Sequence, residues 1–259
     1  MEKNLTHGSV FKNIVFFSLP YLLSYFLQTL YGMADLFIIG QFASVADTTA
    51  VSVGSQIMHM LTVMIVGLAM GTTVSIANAV GAGDRKRAAQ SIGNTVTLFM
   101  SLSVVLMGLL LLSVRPITAV MATPPQAVAS TVSYLTVCFL GIPFITAYNI
   151  LASVFRGMGD SKSPMYFIAV ACVCNIGLDF LFIGALGLGP VGAALGTTLS
   201  QTVSVALSLC VIVKKRSIGL SKSDFKPKKA VMRRLLSIGL PVAAQDGLIQ
   251  IAFIVITVI

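Results

Sequence analysis

Apolar residues run in long blocks along this chain, parted by short polar or glycine-rich stretches. The blocks fall at roughly 13–39, 51–80, 91–114, 128–155, 164–184 and 191–213, and a seventh begins near 235. Each reaches the ~20 residues that a helix needs to cross the hydrocarbon core of a bilayer. The first block is too long for a signal-peptide core and has no small-residue cleavage site after it. The pattern predicts an all-α integral membrane protein: a six-helix transmembrane lobe followed by the start of a seventh helix.

A few polar positions break these blocks. The stretch VACVCNIGLDFLFIG (170–184) carries Asn175 and Asp179, four residues apart and so on one face of a helix. Asp35 and Asp179 are the only acids within the six complete spans. A charge at the bilayer centre costs about 2.5–3.5 kcal/mol on insertion scales, so such residues mark ion or substrate paths. On the first span Asp35 lies about two turns beyond Gln28, with Tyr31 between them. On the sixth, Thr197, Gln201, Ser204 and Ser208 follow spacings of three and four. Hydroxyls at that period also pack helices closely, and packing is the expected role of Ser204 and Ser208.

Composition narrows the class. The chain is 56% hydrophobic and 10% charged, with a mean hydropathy of +0.96, which a soluble domain of this length would not show. The net charge of +9 could point to nucleic acid, but its distribution points elsewhere. Counting loops alternately puts 16 of the 17 Lys and Arg residues on one side and only Arg115 on the other. That asymmetry predicts a cytoplasmic N-terminus in a plasma-membrane protein. The basic stretch 214–234 then reads as a cytoplasmic linker at an anionic lipid surface, with no nucleic-acid partner. Cys138, Cys172, Cys174 and Cys210 all fall in spans, and Cys172 and Cys174 face different directions, so they read as small buried hydrophobes. His59, the one histidine in a span, reads as a packing residue or a proton relay. No nucleophile–base arrangement or metal cluster emerges, which argues against an enzyme and against a resident cofactor.

Two repeats appear. FKNIVFFSLPYLL (11–23) returns as MRRLLSIGLPVAA (232–244), with Pro20 falling on Pro241 and Lys12 on Arg233. The expected organisation is a lobe over 1–213, a linker over 214–234 and the first helix of a second lobe from 235 to 259. The chain stops inside that helix, so a missing C-terminal lobe is expected to complete it. The loops AVGAGDRKRAAQ (79–90) and FRGMGDSKSPMY (155–166) share Gly-x-Gly-Asp followed by basic residues. A phosphate cradle is conceivable, but helix-ending glycines and a capping Asp explain them more simply.

These loops, with LPYLLSYFLQTLYGMADLFIIG (19–40), NIGLDF (175–180) and GAALGTTLSQ (192–201), resemble the multidrug and toxic compound extrusion (MATE) family along essentially the whole chain, and its DinF-like branch in particular. The resemblance implies a twelve-helix, two-lobe antiporter that exports cationic or amphipathic organic compounds against inward Na⁺ or H⁺. It implies a cation site of Asp35, Asn175, Asp179 and Thr197, and a substrate cavity with Gln28, Tyr134 and Asn149. Two carboxylates with amide and hydroxyl oxygens suit Na⁺, and two nearby carboxylates in a dry site also suit a proton carrier, so the coupling ion stays open. A purely structural polar knot is the competing reading. Pro20 and Pro143 lie within spans, where a lost hydrogen bond invites a bend; Pro20 is the candidate hinge. A flippase for lipid-linked oligosaccharide precursors is the alternative function, for which a more basic cavity is expected.

Overall fold

Capping chemistry decides where the long helices stop and restart. Gly83 and Gly159 both hold positive φ, at 72° and 84°, a conformation glycine adopts without strain. The backbone N–H groups of Asp84 and Asp160 then reach back to Ala79 O and Phe155 O, each at 2.9 Å. The Asp84 carboxylate accepts from Arg87 N at 2.9 Å, and the Asp160 carboxylate accepts from Ser163 N at 2.9 Å. The two Gly-x-Gly-Asp loops are therefore the same turn built twice, a helix end plus the cap of the next helix. The phosphate-cradle alternative is not needed to explain either.

The computed structural model describes residues 8–215 and 220–258. Among these are eight α-helices: α1 (Val10–Phe42), α2 (Val45–Gly81), α3 (Arg85–Val120), α4 (Val128–Leu140), α5 (Ile142–Gly157), α6 (Lys162–Asp179), α7 (Gly189–Lys215) and α8 (Lys229–Val258). The α4–α5 pair bends by 47°; counted as one broken span, it brings the apolar helices long enough to cross a membrane to seven among the described residues, the number a six-plus-one organisation needs. The break falls at Gly141, and Pro143 sits in the first turn of α5, where its missing N–H costs nothing. Pro20, by contrast, lies inside the continuous α1 and is buried.

Where sequence reading drew a linker over 214–234, helix extends inward from both sides. The chain between α7 and α8 carries a short 3₁₀ turn, Lys222–Phe225, closed by a capping box between Ser221 and Asp224. That turn is docked. Buried Asn94 of α3 donates to Asp224 O at 3.0 Å and accepts from Lys228 N at 2.6 Å, while Thr97 Oγ1 donates to Phe225 O at 2.8 Å.

The helix ends sort into two faces. At one, the α2 and α5 C-termini meet, because Gly157 has no side chain to push against Ile76, and Arg156 lies 5.1 Å over the Tyr21 ring of α1. At the other, Asp47 at the start of α2 accepts from Ser130 Oγ of α4 at 2.8 Å, and Phe42 meets Phe180 edge-on at 6.2 Å. Hydroxyls tie neighbouring helices between the faces. Thr72 pairs with Thr95 at 3.1 Å, Ser75 with Ser91 at 3.2 Å, and buried Ser204 donates to Phe167 O on α6 at 3.0 Å. Ser204 and Ser208 thus serve packing, as expected.

Candidate functional site

Asp179 ends α6, and the chain passes at once into a π-helical turn, Phe180–Ala185. Such turns are rare and recur at functional sites. Gly192 and Gly196 of α7 are what let that helix lie against this segment. A Cβ on Gly192 would stand 3.1 Å from Phe182, and one on Gly196 would stand 2.2 Å from Asp179 Oδ1 and 3.5 Å from Asn175 Nδ2. The small-xxx-small spacing is a packing device of membrane helices; here it delivers α7 onto a carboxylate.

Asn175 and Asp179 are wholly buried, and Asp35 and Thr197 nearly so. Thr197 Oγ1 donates to Asp35 Oδ2 at 3.1 Å. Asp179, Asn175 and Thr197 all lie within side-chain interaction range of Asp35. The structure therefore gathers the four candidate cation-site residues from α1, α6 and α7 into one cluster. Several of its polar atoms are left without a hydrogen-bond partner: Asp35 Oδ1, both oxygens of Asp179, and Oδ1 and Nδ2 of Asn175. Buried polar atoms are ordinarily satisfied, so this concentration of orphaned oxygens is what a small cation or a proton would fit. Two ionised carboxylates facing each other out of water repel, and either occupant removes that cost.

Above the cluster opens a cavity of about 630 Å³ whose walls come from α1, α2, α4, α5, α7 and α8. Asp35 and Thr197 line it, whereas Asn175 and Asp179 do not. Asp35 and Thr197 therefore stand between the cavity and the inner half of the cluster. Gln28, Tyr134 and Asn149 all line the same cavity. Tyr134 shares a hydrogen bond with Ser55 at 3.2 Å, and its ring is pressed against Gly54. Asn149 Nδ2 donates to Ile145 O at 2.8 Å, which fixes its amide on the wall.

Four features of the site go beyond what the sequence reading gave. His59, read as a packing residue or a proton relay, is exposed on the cavity wall. Gln201 lines the cavity with a buried, unpartnered Oε1. Gly196 was quoted in a motif, but its contact with Asp179 has no trace in a single chain. Asp246 of α8 lines the cavity too; a carboxylate in an apolar block was a usable signal, overlooked because it lies in the seventh span.

Among the described residues, the fold and the buried cluster define a multi-pass, helical membrane protein with two carboxylates buried inside its helix bundle. Residues 20–181 match the MatE family, and the chain belongs to that family, whose members are transporters rather than enzymes. It is 31% identical over 242 residues to a probable multidrug resistance protein, YpnP, of Bacillus subtilis, a match covering 93% of this chain and 54% of that protein. Among solved structures, a MATE protein in its bent conformation superposes with a TM-score of 0.86 at 28% identity, covering 91% of this chain and 53% of the other. A MOP-superfamily transporter from Pyrococcus furiosus, described as having a binding pocket of reverse polarity, aligns with a TM-score of 0.86 at 28% identity, over 94% of this chain and 54% of the other. The chain spans about half the length of the curated relatives it matches.

Proposed function

We propose that the chain is one lobe of a cation-coupled antiporter in the cytoplasmic membrane, exporting cationic or amphipathic organic compounds against inward Na⁺ or H⁺. The observation that carries this reading is the buried Asp35–Asp179 cluster with its unpartnered oxygens, adjoining a cavity large enough for a drug-sized molecule. In this reading Asp35, Asn175, Asp179 and Thr197 hold the coupling ion, and Gln28, Tyr134 and Asn149 face the cargo. Pro20, buried within α1, is the proposed hinge, because its missing N–H weakens the helix where it borders the cavity. Ion binding at Asp35 would bias α1 between two bends and so link ion occupancy to cavity shape.

The division into residues 1–213, 214–234 and 235–259 is proposed on the same basis, with a second lobe completing the cavity beyond α8. The basic face, which includes both Gly-x-Gly-Asp loops and the linker, is placed in the cytoplasm against anionic lipid. The flippase alternative is disfavoured because, among the described residues, no Lys or Arg lines the cavity while two acids do. The test is to reconstitute the whole transporter in liposomes and impose Na⁺ and pH gradients one at a time. Export that accelerates under one of them supports the proposal; export indifferent to both overturns it.

A further inference from the structure

Helix α8 is held against α2 more closely than any side chain would allow. A Cβ on Gly71 would stand 2.1 Å from Leu235 O, one on Gly239 2.2 Å from Leu68 O, and one on Gly67 2.8 Å from the backbone of Ala243. This interlock fixes the rotation of α8 and turns Asp246 toward the cavity. Asp246 Oδ2 lies 3.2 Å from where a Gly67 Cβ would be, and Asp246, Gln250 and Phe253 all line the cavity. Across from them, Tyr25 of α1 lies within electrostatic range of Asp246. Among the described residues no Lys or Arg lines the cavity, and the basic side chain that does is His59 of α2.

We propose that Asp246, with the aromatic faces of Tyr25 and Phe253, is the subsite for the positively charged centre of an organic cation, separate from the buried Asp35–Asp179 pair. The proposal rests on the reading of the protein as an exporter. Its physical basis is a carboxylate that shares a cavity with aromatic side chains and, among the described residues, with no Lys or Arg, a combination that attracts large, weakly hydrated cations. Asp179 does not reach the cavity, so a bulky cation cannot touch it, whereas a bare ion or proton can pass Asp35 and Thr197. Cargo and coupling ion then occupy different carboxylates, and coupling runs through helix movement rather than competition for one charge.

The probes are tetraphenylphosphonium and tetraphenylborate, nearly the same shape with opposite charge, titrated onto the purified chain in detergent. The wild-type protein is expected to prefer the cation. Asp246→Asn should weaken cation binding about tenfold and leave tetraphenylborate unchanged or tighter, while Asp246→Glu should keep the preference. Tyr25→Leu should weaken the cation severalfold and serves if Asp246→Asn does not fold. Asp84→Asn, at a helix cap away from the cavity, removes the same charge and should leave cation binding intact. Wild-type cation affinity in folded Asp246→Asn, or an equal loss for both probes, overturns the proposal. So does a loss in Asp84→Asn as large as that in Asp246→Asn, although that result would leave the ion-coupled reading standing. If no gradient drives export yet Asp246→Asn still loses only the cation, the coupling reading fails and the subsite survives.

Discussion

Replacing Gly196 with alanine adds one methyl group at the point where α7 meets the carboxylate cluster. That methyl would lie 2.2 Å from Asp179 Oδ1, whereas ordinary contact begins at 3.4 Å, so the carboxylate must retreat by about 1.2 Å. The side chain is wholly buried, and Asn175 Nδ2 at 3.5 Å blocks part of its retreat. Alanine gains up to about 1 kcal/mol of helix propensity over glycine, against roughly 1–3 kcal/mol for overpacking, so the net loss of stability is at most about 3 kcal/mol. The ion site should suffer more, because ligand positions tolerate only about 0.2 Å. Disturbing a group that orients a ligand typically costs about 10–100-fold in affinity.

The expected outcome is therefore a folded protein with a slightly lowered melting temperature and a loss of ion affinity of about 10–100-fold. Na⁺ and proton titrations of the purified protein would read the affinity, and thermal unfolding in the same detergent would read the stability. Gly192→Ala is the control, since its methyl meets Phe182 at 3.1 Å and no carboxylate. It should cost stability and spare the ion. Wild-type ion affinity in Gly196→Ala, or an equal loss in Gly192→Ala, would refute the reasoning.

Three further outcomes follow from the same geometry. Asn94→Ala removes two of the three hydrogen bonds described between α3 and the 3₁₀ turn segment, so residues 220–228 should become cleavable by added protease severalfold faster while the helices stay protected; an unchanged cleavage rate would contradict the docking account. Cysteines introduced near Asp47 and Thr123 should label from outside intact cells, whereas one at Lys222 should not, and outside labelling at Lys222 would invert the proposed orientation. Thr197→Ala removes one neutral ligand and the hydrogen bond to Asp35, so ion-driven export should weaken severalfold without vanishing; complete loss would mean that the hydroxyl is indispensable rather than one donor among several.

Much of the architecture was legible in the chain because a membrane span announces itself by length and apolarity alone. The Gly-x-Gly-Asp loops were readable for a similar reason: glycine and aspartate do local work that needs no distant partner. The cluster of Asp35, Asn175, Asp179 and Thr197 was assembled from family likeness, and nothing in the spacing of residues 35 and 179 says that they meet. The π-helical turn after Asp179 left no mark, since Phe180–Ala185 is as compatible with α-helix. The α2–α8 interlock was equally silent. Gly67, Gly71 and Gly239 are unremarkable as letters, and only the packed helices show that each removes a clash with backbone. Asp246 was visible yet misjudged, because its helix was treated as the edge of something else rather than as a cavity wall.

As a proposed ligand of the coupling ion, Asp179 should change charge state or ligand in each transport cycle. Asp179→Asn is nearly isosteric, keeps the packing against Gly196 and removes the ionisable charge. The decisive measurement is ion-driven export by the whole transporter carrying Asp179→Asn, in proteoliposomes with matched protein content. The account expects normal folding and yield with coupled export abolished. Export at the wild-type rate under the same imposed gradient would reduce Asp179 to a structural polar contact and contradict the account.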